Sequence, residues 1–294
     1  MKNLFVCIAF SISLAGCATS NNTIENAEFP ASQQTDTTPI PVSETSEDNE
    51  DEDIDIIDFN PIQQYSDTGS QLADKVIYLT FDDGPSSNTT KILDILKQEN
   101  VKATFFVTGH HESYVHLIKR EFDEGHAIGA HTFSHRYEIY TSMETYFKDL
   151  EKIQQIIQKY TGSRTRLIRF PGGSSNTAYR HYNSDPDFMR RLCGEVRYRG
   201  YQYIDWNLSS KDSSSSYVPA STIVTMACRD YAPDICLLMH DTFGKESTVE
   251  ALRAIIKYYK EQGYRFGTLD VSSPGYHHIY RYHKVRRHRK HPSS

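Results

Sequence analysis

Two neighbouring carboxylates, Asp82 and Asp83, close a hydrophobic run and are followed at once by the breaker pair Gly84-Pro85. Further along, His131 and His135 stand four residues apart behind a short apolar run, Ala127–Ala130. One carboxylate and two imidazoles make three ligands for a borderline-soft cation. Three protein ligands with an open fourth position match a catalytic zinc site rather than a structural one. The second carboxylate is then free to act as general base toward a water held by such an ion. That chemistry is hydrolysis.

Each feature also has a plainer reading. Asp-Gly is a common turn dipeptide, and a chain with 13 histidines can place two of them at this spacing by chance. Successive side chains of a strand point to opposite faces, so Asp82 and Asp83 can serve one centre only if the backbone turns there. Gly84-Pro85 is expected to supply that turn. His131 and His135 would face the same way if the chain turned helical after Ala130. The two features together favour a site over two coincidences.

The elements that must hold these residues follow from the hydrophobic pattern. Strands are predicted at 76–81, 103–107, 127–131, 167–170, 201–208, 235–240 and 264–269. Helices are predicted between them at 89–100, 114–124, 142–160, 187–199, 222–231 and 247–262. Strict alternation implies parallel strands with crossover helices. Asp82, Asp83, His131, Arg169, Asp212 and His240 all fall at or just beyond the C-terminal ends of strands. A closed barrel gathers those ends around one rim, whereas an open sheet would spread the first and last units apart. The expected fold is therefore α/β, a distorted (β/α)7 barrel of mainly parallel strands.

At this point the chain resembles a known family, the polysaccharide deacetylases of carbohydrate esterase family four, relatives of the nodulation chitooligosaccharide deacetylase. The resemblance covers residues 75–272 and rests on five motifs in order. They are Thr80-Phe81-Asp82-Asp83-Gly84-Pro85; His131 through His135; Arg169-Phe170-Pro171-Gly172-Gly173; residues 206–213; and Leu238-Met239-His240. The resemblance implies that Asp82 is the general base and that Asp83, His131 and His135 bind the metal. It implies that His240 is the general acid, that Arg169 orients Asp82, and that Asp212 pairs with His240. The backbone N–H of Gly172 would share the developing oxyanion with the metal, and Leu238 would line the substrate site.

Two departures from the family pattern stand out. Many members carry an aromatic residue where this chain has Gly172. That position contributes a main-chain donor, so the change is expected to alter a sugar contact rather than the oxyanion site. Many members also read Asp-Trp near the end of the fourth motif, where this chain has Asp212-Ser213; Asp205-Trp206 is a rival placement. Trp206, the one tryptophan, is expected to pack in a strand rather than serve as a sugar platform.

The ends of the chain read differently from its middle. Residues 1–20 have a positive start at Lys2 and an apolar stretch from Leu4 to Leu14, with Leu14-Ala15-Gly16-Cys17 following. This resembles the lipobox of bacterial lipoproteins, with Cys17 taking the lipid; plain secretion is the alternative. Residues 21–74 hold fourteen acids and no Lys or Arg. Such a stretch cannot bury enough apolar surface to offset its ordering entropy, which predicts a disordered, self-repelling linker, or else an acidic interaction tail. Residues 273–294 form a basic, His-rich tail containing Arg281, Lys284, Arg286, Arg287, Arg289 and Lys290. It is read either as solvated or as an electrostatic contact with anionic polymer or headgroups. Of the five cysteines, Cys193, Cys228 and Cys236 remain beyond the export signal, as one bridge plus a thiol or as three thiols.

These readings converge on one expectation. The protein is a monomeric, exported, lipid-anchored enzyme on the outer face of a bacterial membrane. With a divalent metal (Zn2+, or alternatively Co2+, Ni2+ or Fe2+), it removes acetyl groups from N-acetylglucosamine units of an envelope polysaccharide, peptidoglycan in the first instance. The partners are the polysaccharide and, through the anchor, the membrane; nucleic acid fits an exported protein poorly. Alternatives are an O-acetyl xylan esterase, a chitooligosaccharide or exopolysaccharide deacetylase, and a non-catalytic glycan-binding envelope protein.

Overall fold

A computed structural model describes residues 75–229 and 232–278. The expected export signal with Cys17, the expected linker 21–74 and residues 279–294 of the expected basic tail lie outside the described residues. Eight parallel strands are paired: β1 (Val76–Asp82), β2 (Thr104–Val107), β3 (Ala127–Ala130), β4 (Leu167–Ile168), β5 (Gln202–Tyr203), β6 (Leu208–Ser209), β7 (Asp234–His240) and β8 (Arg265–Gly267). Their order is β5-β4-β3-β2-β1-β7-β6. One edge of β1 pairs with β7 along its whole length. The other edge is shared, β8 taking Val76–Tyr78 and β2 taking Thr80–Asp82.

The two ends of that order belong to one short stretch of chain, and this corrects the expectation of an unbroken strand over 201–208. Gln202 and Ile204 donate N–H bonds to Arg166 and Ile168 on the β4 side. Asn207 and Ser210 donate to Cys236 and Leu238 on the β7 side. Between them Asp205 leaves both ladders, its N–H bonding the Gly275 carbonyl and its carboxylate the Ser174 hydroxyl and N–H. The stretch thus bridges the first and last strands of the order and completes the distortion of the barrel.

Helices pack outside: α1 (Ser87–Glu99), α2 (Leu117–Asp123), α3 (Met143–Thr161), α4 (Phe188–Tyr198), α5 (Ala220–Ala227) and α6 (Glu246–Glu261). Ser86 caps α1 through the Asn88 N–H, and α3 ends at Gly162 in the left-handed region. Two predicted helices are shorter than expected. The start of 114–124 is a turn up to His116, and 222–231 leaves the helix after Ala227.

The period-two alternation of the strands sorts their side chains into two layers. Ile77, Leu79, Phe81, Phe105, Val107, Ile168, Ile235, Leu237 and Met239 join the helices in the main core. The opposite faces point into the barrel, where Phe106, Leu167, Ile204, Cys236 and Leu269 form a smaller cluster with Tyr78 and Trp206 against it. Trp206 therefore packs against this cluster, though from the link between β5 and β6 rather than from within a strand as expected. The three remaining cysteines are free thiols. Among the described residues, no helix is long and apolar enough to cross a membrane.

Candidate active site

The barrel interior is apolar at one end and polar at the other. The same alternation that buries Leu79 and Phe81 outward turns Thr80 and Asp82 inward at the end of β1. On β7 it turns Cys236, Leu238 and His240 inward beside them, in register with Tyr78, Thr80 and Asp82. Asp82 would lie opposite Asp83 in face but for the backbone, which enters the left-handed region at Asp83 itself (φ 72°). Gly84 must be glycine for a steric reason: a Cβ there would stand 2.1 Å from the Asp241 carboxylate.

The second motif converges by a different route from the helical turn expected of it. Residues 131–135 form a loop in which Thr132 (φ 66°) and His135 (φ 52°) are left-handed. For residues other than glycine such backbone costs about 1–3 kcal/mol each and persists only where neighbours enforce it. Here the Asp149 carboxylate on α3 accepts the N–H groups of Phe133 (2.7 Å) and Ser134 (3.0 Å). Gly109 donates to the Phe133 carbonyl from the far side.

Asp83, His131 and His135 consequently point at one another, with one potential ligand atom from each within 4.8 Å of the others. Asp83 Oδ1 lies 3.3 Å from His131 Nε2 and 3.0 Å from His135 Nε2. It is nevertheless buried without a well-formed hydrogen bond. His131 Nδ1 sits 2.7 Å from the Arg169 carbonyl oxygen, which can only accept, so that nitrogen carries the proton. In the neutral ring the Nε2 lone pair then faces a carboxylate oxygen. Burial, opposed in part by Asp83, holds His135 down to about 4, so its ring is neutral near pH 7, whereas Asp82 and Asp83 push His131 up against its own burial. Burial would raise Asp83, but His131, His135 and His240 more than offset it and keep the carboxyl ionised. Three electron-rich atoms crowded together fit a shared cation. Tetrahedral zinc with ligands near 2.0–2.1 Å separates them by roughly 3.3 Å, close to the spacings seen.

Asp82 lies beside this cluster, its Oδ1 2.8 Å from Arg169 Nη1 and its Oδ2 3.7 Å from His131 Nε2. Across from it, His240 Nδ1 is 2.8 Å from Asp212 Oδ1, and the His240 N–H donates to Asp212 Oδ2 at 2.7 Å. Thr248 and the Asp212 main-chain contact with Lys245 fix that carboxylate further. Burial alone would lower His240; the Asp212 hydrogen bond and charge, with Asp83 and Asp82 behind them, push it up to about 9. The arrangement therefore offers a carboxylate able to take a proton and a cationic imidazole able to give one.

The polysaccharide deacetylase family model matches residues 69–188. A peptidoglycan-N-acetylglucosamine deacetylase of Bacillus cereus is 34% identical over 202 residues, covering 65% of this chain and 68% of its own. The chain belongs to the polysaccharide deacetylase family. Its barrel superimposes on the catalytic domain of a peptidoglycan N-acetylglucosamine deacetylase from Eubacterium rectale (TM-score 0.67, 41% identity, 71% of this chain and 95% of that one). It also matches a polysaccharide deacetylase from Bacillus cereus (TM-score 0.60, 33% identity, 68% and 94%). The distorted (β/α)7 barrel and the deacetylase activity expected from the motifs are thus borne out, and the non-catalytic alternative is set aside.

In this deacetylase Asp82, Asp83, His131, His135, Arg169, Gly172, Asp212 and His240 all fall at or shortly after the C-terminal ends of strands. Asp212, not its rival Asp205, touches His240; Asp205 instead binds Ser174 and the His278 N–H. Leu238 is buried on the inward face of β7, two residues before His240. His277 and His278, read with the solvated tail, pack on the barrel, His277 stacking on Tyr203 at 3.8 Å. Sequence reasoning missed Asp149. The available signal was an acid on the apolar face of α3, beside Tyr146, Leu150 and Ile153. It also missed the short 3-10 turn Tyr137–Thr141, which brings two tyrosines against the third motif.

Proposed function

We propose that this deacetylase removes acetyl groups from N-acetylglucosamine residues of a cell-envelope polysaccharide, peptidoglycan, with a divalent cation, zinc, held by Asp83, His131 and His135. The observation that carries this reading is the convergence of those three side chains beside a second carboxylate, with a paired imidazole opposite. The names of the relatives from Bacillus cereus and Eubacterium rectale support the substrate class.

A cation so held would polarise the acetyl carbonyl and acidify water. Asp82 takes the proton from the attacking water, its carboxylate aimed by Arg169. The Gly172 N–H donates to the carbonyl oxygen as negative charge builds there. His240, kept protonated by Asp212, passes its proton to the departing sugar nitrogen. On the same reading the protein is exported and tethered through Cys17, and the acidic stretch 21–74 gives it reach toward the polymer.

Purified protein offered N-acetylglucosamine oligomers, peptidoglycan and acetylated xylan should release acetate from the first two, and chelator should suppress the release. Release from xylan alone overturns the substrate class. Release untouched by chelator overturns the role of the cation.

The pairing of His240 makes a further prediction. The imidazolium is the active form of a general acid, so activity is lost as pH rises through its pKa. Asp212→Asn removes the partner that raises that pKa, and the alkaline limb of kcat/KM should move down by about one unit or more. A limb that stays in place would show that His240 does not set it.

A further inference from the structure

Gly172 is left-handed (φ 77°), and the space its side chain would enter is already taken. A Cβ there would stand 2.7 Å from the Tyr137 hydroxyl and 3.3 Å from Cε1 of the same ring. Tyr137 arrives from the 3-10 turn that begins two residues after His135, with its ring tilted against Tyr140 at 6.1 Å. Tyr140, fully buried, donates from its own hydroxyl to the Pro171 carbonyl at 2.9 Å. That contact matters because Pro171 C=O and Gly172 N–H belong to one planar peptide and point in opposite directions. Fixing the carbonyl fixes the aim of the N–H. Among the described residues, the Gly172 N–H makes no backbone hydrogen bond, and the half-buried Tyr137 hydroxyl beside it makes none to the protein. Two neighbouring donors are therefore left without a protein partner, one in the third motif and the other, at Tyr137, two residues beyond His135.

We propose that the Tyr137 hydroxyl is a second donor to the acetyl carbonyl oxygen as it becomes an oxyanion, standing beside the Gly172 N–H, with Tyr140 as the positioning residue that holds the shared peptide. The inference rests on the deacetylase reading above and deepens it at the same site. It also explains glycine at position 172: any side chain there would displace the phenol. A donor aimed at charge that appears only in the transition state lowers the barrier without tightening substrate binding.

The test is acetate release by the full-length protein from an N-acetylglucosamine pentamer, wild type against Tyr137→Phe, with kcat and KM separated and thermal unfolding followed alongside. The expected result is a fall in kcat of about 10- to 100-fold, KM within roughly threefold of wild type, and an unchanged unfolding midpoint, because the hydroxyl has no protein partner to lose. Gly172→Ala should cost turnover in the same way by pushing the phenol aside. Adding Tyr137→Phe to it should cost nothing more. A kcat within about twofold of wild type, or a loss confined to KM, overturns the proposal while an active wild type leaves the deacetylase reading standing. A wild type inert on the pentamer and on the other glycans overturns both.

Discussion

Asp82→Asn should slow acetate release by about 10²–10⁴-fold while leaving the barrel folded and the cation site filled. The expectation comes from what the amide keeps and what it loses. Asparagine is nearly isosteric, and its Oδ1 can still accept from Arg169 Nη1, 2.8 Å away in the native pair. It cannot take a proton from water. The three candidate ligands are untouched, since Asp82 Oδ2 stands 3.7 Å from His131 Nε2 and contributes no atom to the cluster. Elemental analysis should therefore find wild-type metal content in a protein whose kcat has collapsed. The charge lost beside a buried guanidinium should cost only about 1–3 kcal/mol, because Arg169 keeps Ile204, Thr80 and Asp205 as acceptors. If turnover fell less than about tenfold, another group would have to be the base. Loss of metal together with activity would place Asp82 among the ligands.

What the sequence made legible were features that local chemistry encodes. Alternation along β1 and β7 announces which side chains face inward, and Asp82, Leu238 and His240 follow from it. The Asp-Asp-Gly-Pro run announces a turn, although the turning residue is Asp83 rather than the glycine after it. Features set by distant partners were not legible. The break in 201–208 depends on Ser174 and Gly275 capturing Asp205, and neither is near it in sequence. The left-handed Thr132 depends on Asp149 from another element, and no spacing rule for imidazoles anticipates it. Tyr137 and Tyr140 fall between the predicted strand 127–131 and helix 142–160, where no local pattern marks them, and their role shows only once the third motif folds against them. Motif spacing therefore located the side chains that converge at the strand ends, whereas the residues that position them appear only once the barrel has brought those ends together.

Arg169→Met should be the most destabilising single change at the site. The guanidinium is fully buried, its Cζ 4.1 Å from the centroid of the Phe106 ring. Its nitrogens donate to Asp82 Oδ1, the Thr80 hydroxyl, and the Ile204 and Asp205 carbonyls, tying β1 to the stretch that completes the barrel. Methionine fills most of that volume, so the expected loss is not a cavity effect. It comes from leaving Asp82 ionised and buried without its counter-charge, which costs about 3–5 kcal/mol. In a domain of roughly 200 residues that lowers the unfolding midpoint by about 6–20 °C. The decisive comparison is the double variant Asp82→Asn with Arg169→Met. If the penalty is an orphaned charge, removing that charge should recover much of the lost midpoint, even though a second native side chain has gone. If the guanidinium acts as a packing strut or a clamp on the two carbonyls, the double variant should be no more stable than Arg169→Met alone. Activity separates the same alternatives, because His131 takes its orientation from the Arg169 main-chain carbonyl at 2.7 Å, which the substitution leaves in place. A stable Arg169→Met protein with normal turnover would show that Asp82 needs no buried partner to act.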